Sequence, residues 1–257
     1  MSSPQTIPAE SQRLTDPTEE YQIRLAASAA EIHAVQRLRY EVFRRDFGAT
    51  IRSESGVDVD EFDAYCDHLI VWHIPTDTAV GTYRLLPPGR TARLYSADEF
   101  ELSALDRIRP DLVEAGRSCV HPEHRDGAVI SLLWTELARY MARTGYRYLA
   151  GCASASLADG GTMASATWRM AEAKHRATEG FTVTPYRPWQ PATALASHQR
   201  PSYGQLPPLV RGYLRLGAAV CGPPAYDPDF HVADFFVLLD MHRIPERYLR
   251  YFLGGAR

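Results

Sequence analysis

The sequence predicts an α/β domain with one mixed central sheet and helices packed against it. Three observations carry that expectation. Strand-type and helix-type segments alternate in the order strand, helix, hairpin, strand, helix, strand, helix, strand, which fits one mixed sheet. A chain of 257 residues, 45% hydrophobic and 11% aromatic, can bury one substantial core. Residues 112–134, "LVEAGRSCVHPEHRDGAVISLLW", set a charged pair inside a strand pattern, followed by a short basic turn and an apolar helix.

Each element follows from its local pattern. Residues 1–19 are rich in Pro, Ser, Thr and acids and lack periodic apolar positions, the composition of a disordered leader, so residues 20–257 read as the single domain. "YQIRLAAS" (21–28) is a short strand. From Ala29 to about Phe47, the residues Ile32, Val35, Leu38, Val42 and Phe43 recur at three- and four-residue intervals, giving an amphipathic helix. The acidic "RSESGVDVDEFDAYCD" (52–67) is a loop or lid. "HLIVWHI" (68–74) and "AVGTYRLLP" (79–87), separated by turn formers, make a hairpin. A short helix is expected over 97–106, and "LVEAGRSCV" is the next strand. Residues 128–144 are helical and Gly145 stops them. "YRYLAGCAS" (146–154) is a strand, Met163 to about Arg176 a helix, 185–208 an irregular Pro-rich connection, and "DFFVLLDM" (234–241) a late strand.

Composition narrows the function. A formal net charge of −3 with no run of like charge gives no basis for nucleic-acid binding. Cys66, Cys119, Cys152 and Cys221 are far apart and form no C-x-x-C pair, so neither a zinc site nor a disulfide scaffold is expected, and a reduced cytoplasmic chain fits. Neither a signal peptide nor a membrane span is expected, since no segment reaches the roughly 18 uninterrupted apolar residues a span needs.

"LRYEVF", "DVDEFD", "GTYRLLP" and "EAGRSCVHP" resemble, in that order, motifs of the acyl-homoserine lactone synthases and of the ornithine N-acyltransferases of ornithine-lipid synthesis. Both belong to the GNAT acyltransferase fold, whose sheet contains a splayed pair of strands. "CDHL" and the C-terminal "LPPLVRGYLRLGAAVCGPPAYDPDFHVADFFVLLD" are similar to the ornithine branch in particular, and the likeness spans about residues 21–255. The resemblance implies an acyl donor on acyl carrier protein, an amino-acid amine as acceptor, and no metal or organic cofactor. Carried over by motif, it implies a functional set of Arg39, Phe43, Asp60, Asp63, Arg84, Glu114 and Arg117.

Acyl transfer from a thioester to an amine needs an unprotonated amine, a polarised carbonyl and a protonated leaving thiolate. Glu114 is the candidate base and the Val120 amide the candidate polariser. Strict alternation puts Glu114 and Arg117 on opposite faces, and only a bulge would bring them together and splay the strand from its neighbour. For Glu114 the alternative is a structural ion pair with Arg84 or Arg39. Asp60 and Asp63 could hold an ammonium group or tie down Arg39 and Arg84. Arg84, in an apolar strand, needs a partner or a ligand carboxylate. Arg39 alone reads as an ordinary exposed arginine, and Phe43 as core or acyl contact.

The turn 121–130 is where this fold holds the donor's phosphate, with Cys119, Val120, Arg125, Gly127 and Ala128 as donor-binding candidates. Its Arg-Asp-Gly-Ala departs from the usual glycine pattern, which weakens the case for a CoA diphosphate. His68 and His121 are rival bases, and Cys119 and Cys152 read as core rather than nucleophiles. Arg139, Arg143 and Arg147 could meet a carrier protein. The basic, aromatic tail "RIPERYLRYFLGGAR" suits peripheral membrane contact or a docked C-terminal helix equally. Three rival functions remain at this point: another amine acceptor, acyl-CoA as donor, and a non-catalytic acyl-thioester-binding module.

Overall fold

A computed structural model describes residues 20–48, 53, 55–191 and 202–253. The expected leader lies outside them, as do parts of the 52–67 loop and of the 185–208 connection.

The chain opens with β1 (Tyr21–Leu25), whose Tyr21 and Ile23 face the core, and α1 (Ala29–Phe47). The Ser28 hydroxyl accepts from Glu31 N–H to start α1, and Gly48 at φ 62° ends it. The hairpin β2 (Asp67–His73) and β3 (Thr78–Leu86) follows the acidic loop. The short helix expected over 97–106 is replaced by two 3-10 turns, Tyr95–Asp98 and Ser103–Asp111, around the two-residue strand β4 (Phe100–Glu101). Ser103 N–H donates to the Glu101 carboxylate, a local side-chain bond that competes with a continuous helix there.

β5 (Leu112–Val120) and α2 (Ala128–Thr144) match their patterns, with α2 bounded by Gly127 at φ 107° and Gly145 at φ 75°. β6 (Tyr148–Ser156) sits two residues later than its pattern suggested. α3 (Thr162–Met170) runs on into a π-turn over Ala171–His175, close to the expected span. β7 (Thr184–Pro185) pairs β4 apart from the main sheet. The remaining elements are α4 (Pro208–Leu216), β8 (Ala219–Val220), β9 (Ala225–Asp227), β10 (Val232–Asp240) and α5 (Glu246–Leu253).

The main sheet has the order β1-β2-β3-β5-β6-β10-β8, with β9 also on β10. Every pairing is antiparallel except β5 with β6. On one face Tyr83, Leu85, Val113 and Ala115 pack against Val129 and Leu133 of α2. On the other, Leu86, Leu112, Ala150 and Phe236 pack under Phe62, Leu94 and Phe100, while α1 lays Leu38, Val42 and Phe43 against Cys119.

The sheet opens at the parallel junction between β5 and β6. β5 pairs β6 from Leu112↔Tyr148 to Glu114↔Ala150 and then leaves it, although it stays on β3 to Val120. On β3 the residues Thr82 and Arg84 face Cys119 and Gly116, so three steps of β5 span two of β3. The extra residue is Arg117, in the left-handed region at φ 51°. At the mouth of the split, Gly151 lies so close that a Cβ there would stand 2.1 Å from the Ala115 carbonyl oxygen. Gly151→Ala must move backbone and is expected to cost about 1–3 kcal/mol or more. A thermal melt unchanged within a degree would show that β6 shifts freely here.

Candidate functional site

The split produces a cavity of about 650 Å³, inside the roughly 300–1,000 Å³ range of small-ligand sites. It is lined from both faces: Glu114, Arg84 and Cys152 on the α1 side, Tyr83, Ile130 and Trp134 on the α2 side.

Glu114, 4% exposed, lines this cavity. Its Oε1 accepts from Ser96 N–H at 2.8 Å and Ser96 Oγ–H at 2.6 Å, and its Oε2 accepts from Tyr95 N–H at 2.6 Å. A carboxylate has about four acceptor sites, so one lone pair on Oε2 is unused by these donors. Burial pushes the carboxyl above the usual range, opposed by the Ser96 and Tyr95 donors and by the Arg84 charge. The expected alternative, an ion pair with Arg84 or Arg39, is not formed, because those guanidinium groups are taken elsewhere. The bulge puts Arg117 on the same side as Glu114, and both reach Tyr95: Arg117 Nη1 donates to the Tyr95 hydroxyl at 2.8 Å and its guanidinium lies 4.7 Å from the ring centroid.

The acids and arginines expected to build a pocket form one buried network. Arg39 is 0% exposed, not the surface residue its position suggested. It grips Asp63 bidentately at 3.0 and 2.7 Å, and its Nε lies 2.8 Å from Asp58 Oδ2. Arg84 donates to Asp60 Oδ1 at 2.6 Å and Asp63 Oδ1 at 2.8 Å, and Arg117 closes the ring at 3.2 Å from Asp58 and 3.4 Å from Asp60. Despite burial, Arg39 and Arg84 hold the Asp63 carboxyl well below the usual range. Asp58 was missed, because nothing in an acidic loop marks which carboxylate turns inward. Phe43 packs edge-on to Phe230 at 5.6 Å and also lines the cavity. The rival base His68 is buried and donates from Nε2 to the Asp63 carbonyl at 3.1 Å, and desolvation pushes the imidazole below its ordinary range. His121 accepts from Glu123 N–H.

A second group escaped the sequence reading altogether. Glu99, Asp227 and Asp234 line the cavity and each brings an oxygen within 4.8 Å of the others. Asp234 is 3% exposed and accepts from Ser154 Oγ–H at 2.5 Å. Burial pushes Glu99 and Asp234 above the usual carboxylate range; the Asp234 and Asp227 charges raise Glu99 further, and the Asp227 charge raises Asp234 while the Ser154 hydroxyl lowers it. A signal did exist for Asp234, an acid within the apolar "VADFFVLLD".

At the turn after β5, the ladder itself orients Val120. His121 N–H donates to the Val80 carbonyl at 2.8 Å, so 80/121 is a hydrogen-bonded pair and the adjacent pair Gly81/Val120 is not. The Val120 N–H and C=O therefore point away from β3 toward the gap, and Arg125 Nε donates to that carbonyl at 3.0 Å. Arg125 is also paired with Asp46 at 2.5 Å. Ala128 N–H, the first amide of α2, is already taken by Asp126 Oδ1 at 2.9 Å. Cys119 turns its side chain under α1, and burial raises its thiol and that of Cys152, which disfavours a thiolate at either position. Arg143 is paired with Glu136 and Arg147 with Asp240. α5 is docked, with Phe252 buried 6.2 Å from the Trp134 ring. Among the described residues no helix is long and apolar enough to cross a membrane.

Comparison with known proteins agrees with this architecture. Residues 38–135 match the family described as "Acetyltransferase (GNAT) domain". The chain is 36% identical over 259 residues to the L-ornithine N(alpha)-acyltransferase of Brucella abortus, covering 91% of this chain and 89% of that protein. It is 34% identical over 247 residues to the protein of the same name from Rhodobacter capsulatus, covering 90% and 94%. In fold it is similar to FeeM, an N-acyl amino acid synthase from uncultured soil microbes, with a TM-score of 0.50 at 14% identity over 86% of this chain and 92% of that one. With a GNAT fold and relatives of this kind along nearly its whole length, the chain belongs to the L-ornithine N(alpha)-acyltransferase family.

Proposed function

We propose that this protein transfers a long, 3-hydroxylated acyl group from acyl carrier protein to the α-amine of ornithine, giving a lyso-ornithine lipid. The observation that carries the reading is the acidic end of the cavity. Glu99, Asp227 and Asp234 offer carboxyl groups to the side-chain ammonium of a diamino acid, and Arg117 beside them suits its carboxylate. An ammonium group bound there favours the ionised carboxylates, opposing the upward push of burial on Glu99 and Asp234. Glu114 takes a proton from the α-ammonium, directly or through water, by its unused Oε2 lone pair. The freed amine forms the N–C bond as the C–S bond breaks, the Val120 N–H steadies the carbonyl oxygen, and the thiolate leaves with the proton that the attacking nitrogen sheds, with no acyl-enzyme intermediate. The network of Arg39, Asp58, Asp60, Asp63 and Arg84 fixes the loop that walls the acceptor pocket.

Two features support carrier protein over acyl-CoA. Asp126 caps the α2 terminus where a diphosphate would bind, and Arg125 is already paired with Asp46. The lipid product and the exposed Tyr251 and Leu253 of α5, beside Arg247 and Arg250, support work at the cytoplasmic face of a membrane.

The test is to incubate the protein with 3-hydroxyacyl carrier protein and a panel of amino acids and identify products by mass spectrometry. N-acyl-ornithine is expected to dominate, with norvaline, which lacks the side-chain amine, a poor acceptor. Asp234→Asn is expected to raise KM for ornithine about 10- to 100-fold, the effect of losing a charged hydrogen bond, and to leave KM for norvaline alone. Equal use of both acceptors, unmoved by Asp234→Asn, would remove ornithine from the reading. Absence of transfer from any thioester would favour a non-catalytic binding module.

A further inference from the structure

The cavity's two ends differ in chemistry. Among the described residues, the wall supplied by α2, α3 and the start of α4 (Ile130, Ser131, Trp134, Met163, Leu209) carries no charged side chain. Trp134 is the largest of these side chains. Its ring stacks on Tyr213, with centroids 5.6 Å apart and planes 21° apart, and meets Phe252 on another side. Beneath it lies Gly212, where a Cβ would stand 1.7 Å from a ring carbon of Trp134. Gly212 is inside α4, a position where glycine is otherwise disfavoured. Its backbone is ordinary helix, so the indole, not the backbone conformation, explains the glycine.

We infer that Trp134, seated on Gly212, sets the length of acyl chain that the cavity accepts. The inference rests on the acyl-transfer reading above and adds which residue meets the far part of the chain. A chain leaving the thioester at the split enters the apolar arm and runs onto the indole. Removing the indole lengthens the arm. Adding a methyl group at position 212 lifts the ring off its seat, and because Tyr213 and Phe252 pack against it, the ring moves into the cavity and shortens the arm.

The experiment gives the full-length protein a mixture of acyl thioesters of graded chain length with ornithine and reads the product distribution by mass spectrometry. Trp134→Ala is expected to shift products toward longer chains and Gly212→Ala toward shorter ones. Each shift is expected to be about tenfold in the ratio of neighbouring even-numbered chains, the effect of gaining or losing burial of two methylene groups. In the double variant Trp134→Ala, Gly212→Ala, the effect of the added methyl group should disappear, because nothing remains for it to displace. Trp134→Leu, smaller but still apolar, keeps the test valid if the alanine variant unfolds. Unchanged distributions in the folded variants overturn the inference while leaving the reaction intact. If the wild-type protein transfers no acyl group at all, the acyl-transfer reading fails first and this inference falls with it.

Discussion

Asp63→Ala is expected to lower unfolding stability by about 3–5 kcal/mol, the cost of leaving buried charges without their partner. Asp63 is the shared acceptor of Arg39, at 3.0 and 2.7 Å, and of Arg84, at 2.8 Å. Arg39 is wholly buried and Arg84 is 3% exposed, so neither can recover its loss from water. Asp60→Asn should cost far less, since the Asp60 side chain is 21% exposed and Arg84 keeps Asp63. The check is the midpoint of urea denaturation for both variants. A loss under about 1 kcal/mol for Asp63→Ala would mean that Asp58 and Asp60 alone satisfy the arginines. The pH dependence follows from the same geometry. The Asp63 carboxyl lies below its ordinary value in the folded protein, so the unfolded chain binds the proton more readily. Its contribution is therefore present above the ordinary aspartate range and is lost as pH falls below it. Asp63→Ala should flatten that acid limb of the stability curve.

Much of this arrangement was legible in the sequence wherever local chemistry decides structure. α1 runs from a serine cap to a left-handed glycine and lies where its apolar period placed it. β5 coincides with its pattern, and the question raised by Glu114 and Arg117 had a correct conditional answer: a bulge, realised by Arg117 at φ 51°. What was not legible depends on where the chain turns in space. The burial of Arg39 is decided by Asp58 and Asp63, which reach it from a loop about 20 residues away, and periodicity sees only the helix. The same limit hid the acidic end of the cavity, assembled from an irregular segment, β9 and β10. The strand pattern at 146–154 starts two residues before the strand itself, because Tyr146 and Arg147 read as strand by propensity while Gly145 and the turn out of α2 delay the first pairing to Tyr148.

Glu114→Gln is expected to reduce kcat about 10²- to 10⁴-fold, the range for losing a general base. Loss of activity alone does not establish the role, because the side chain also holds the Tyr95–Ser96 segment. A glutamine amide set against Tyr95 N–H opposes donor to donor and costs about 1–3 kcal/mol of stability. The pH profile separates the two roles. A base must be deprotonated in the free enzyme, so kcat/KM should rise through the Glu114 carboxyl value on the acid side, and burial places that value above an ordinary glutamate. Ser96→Ala removes one donor to Oε1 while keeping both backbone donors. Taking a hydrogen bond from the charged form raises the carboxyl further, so the acid limb should move to higher pH while the plateau above it is largely kept. A scaffold carboxylate predicts the opposite pattern, with a lower plateau and a limb that stays in place. If Ser96→Ala leaves the limb unmoved in a folded protein, Glu114 holds the loop and the amine loses its proton to another group.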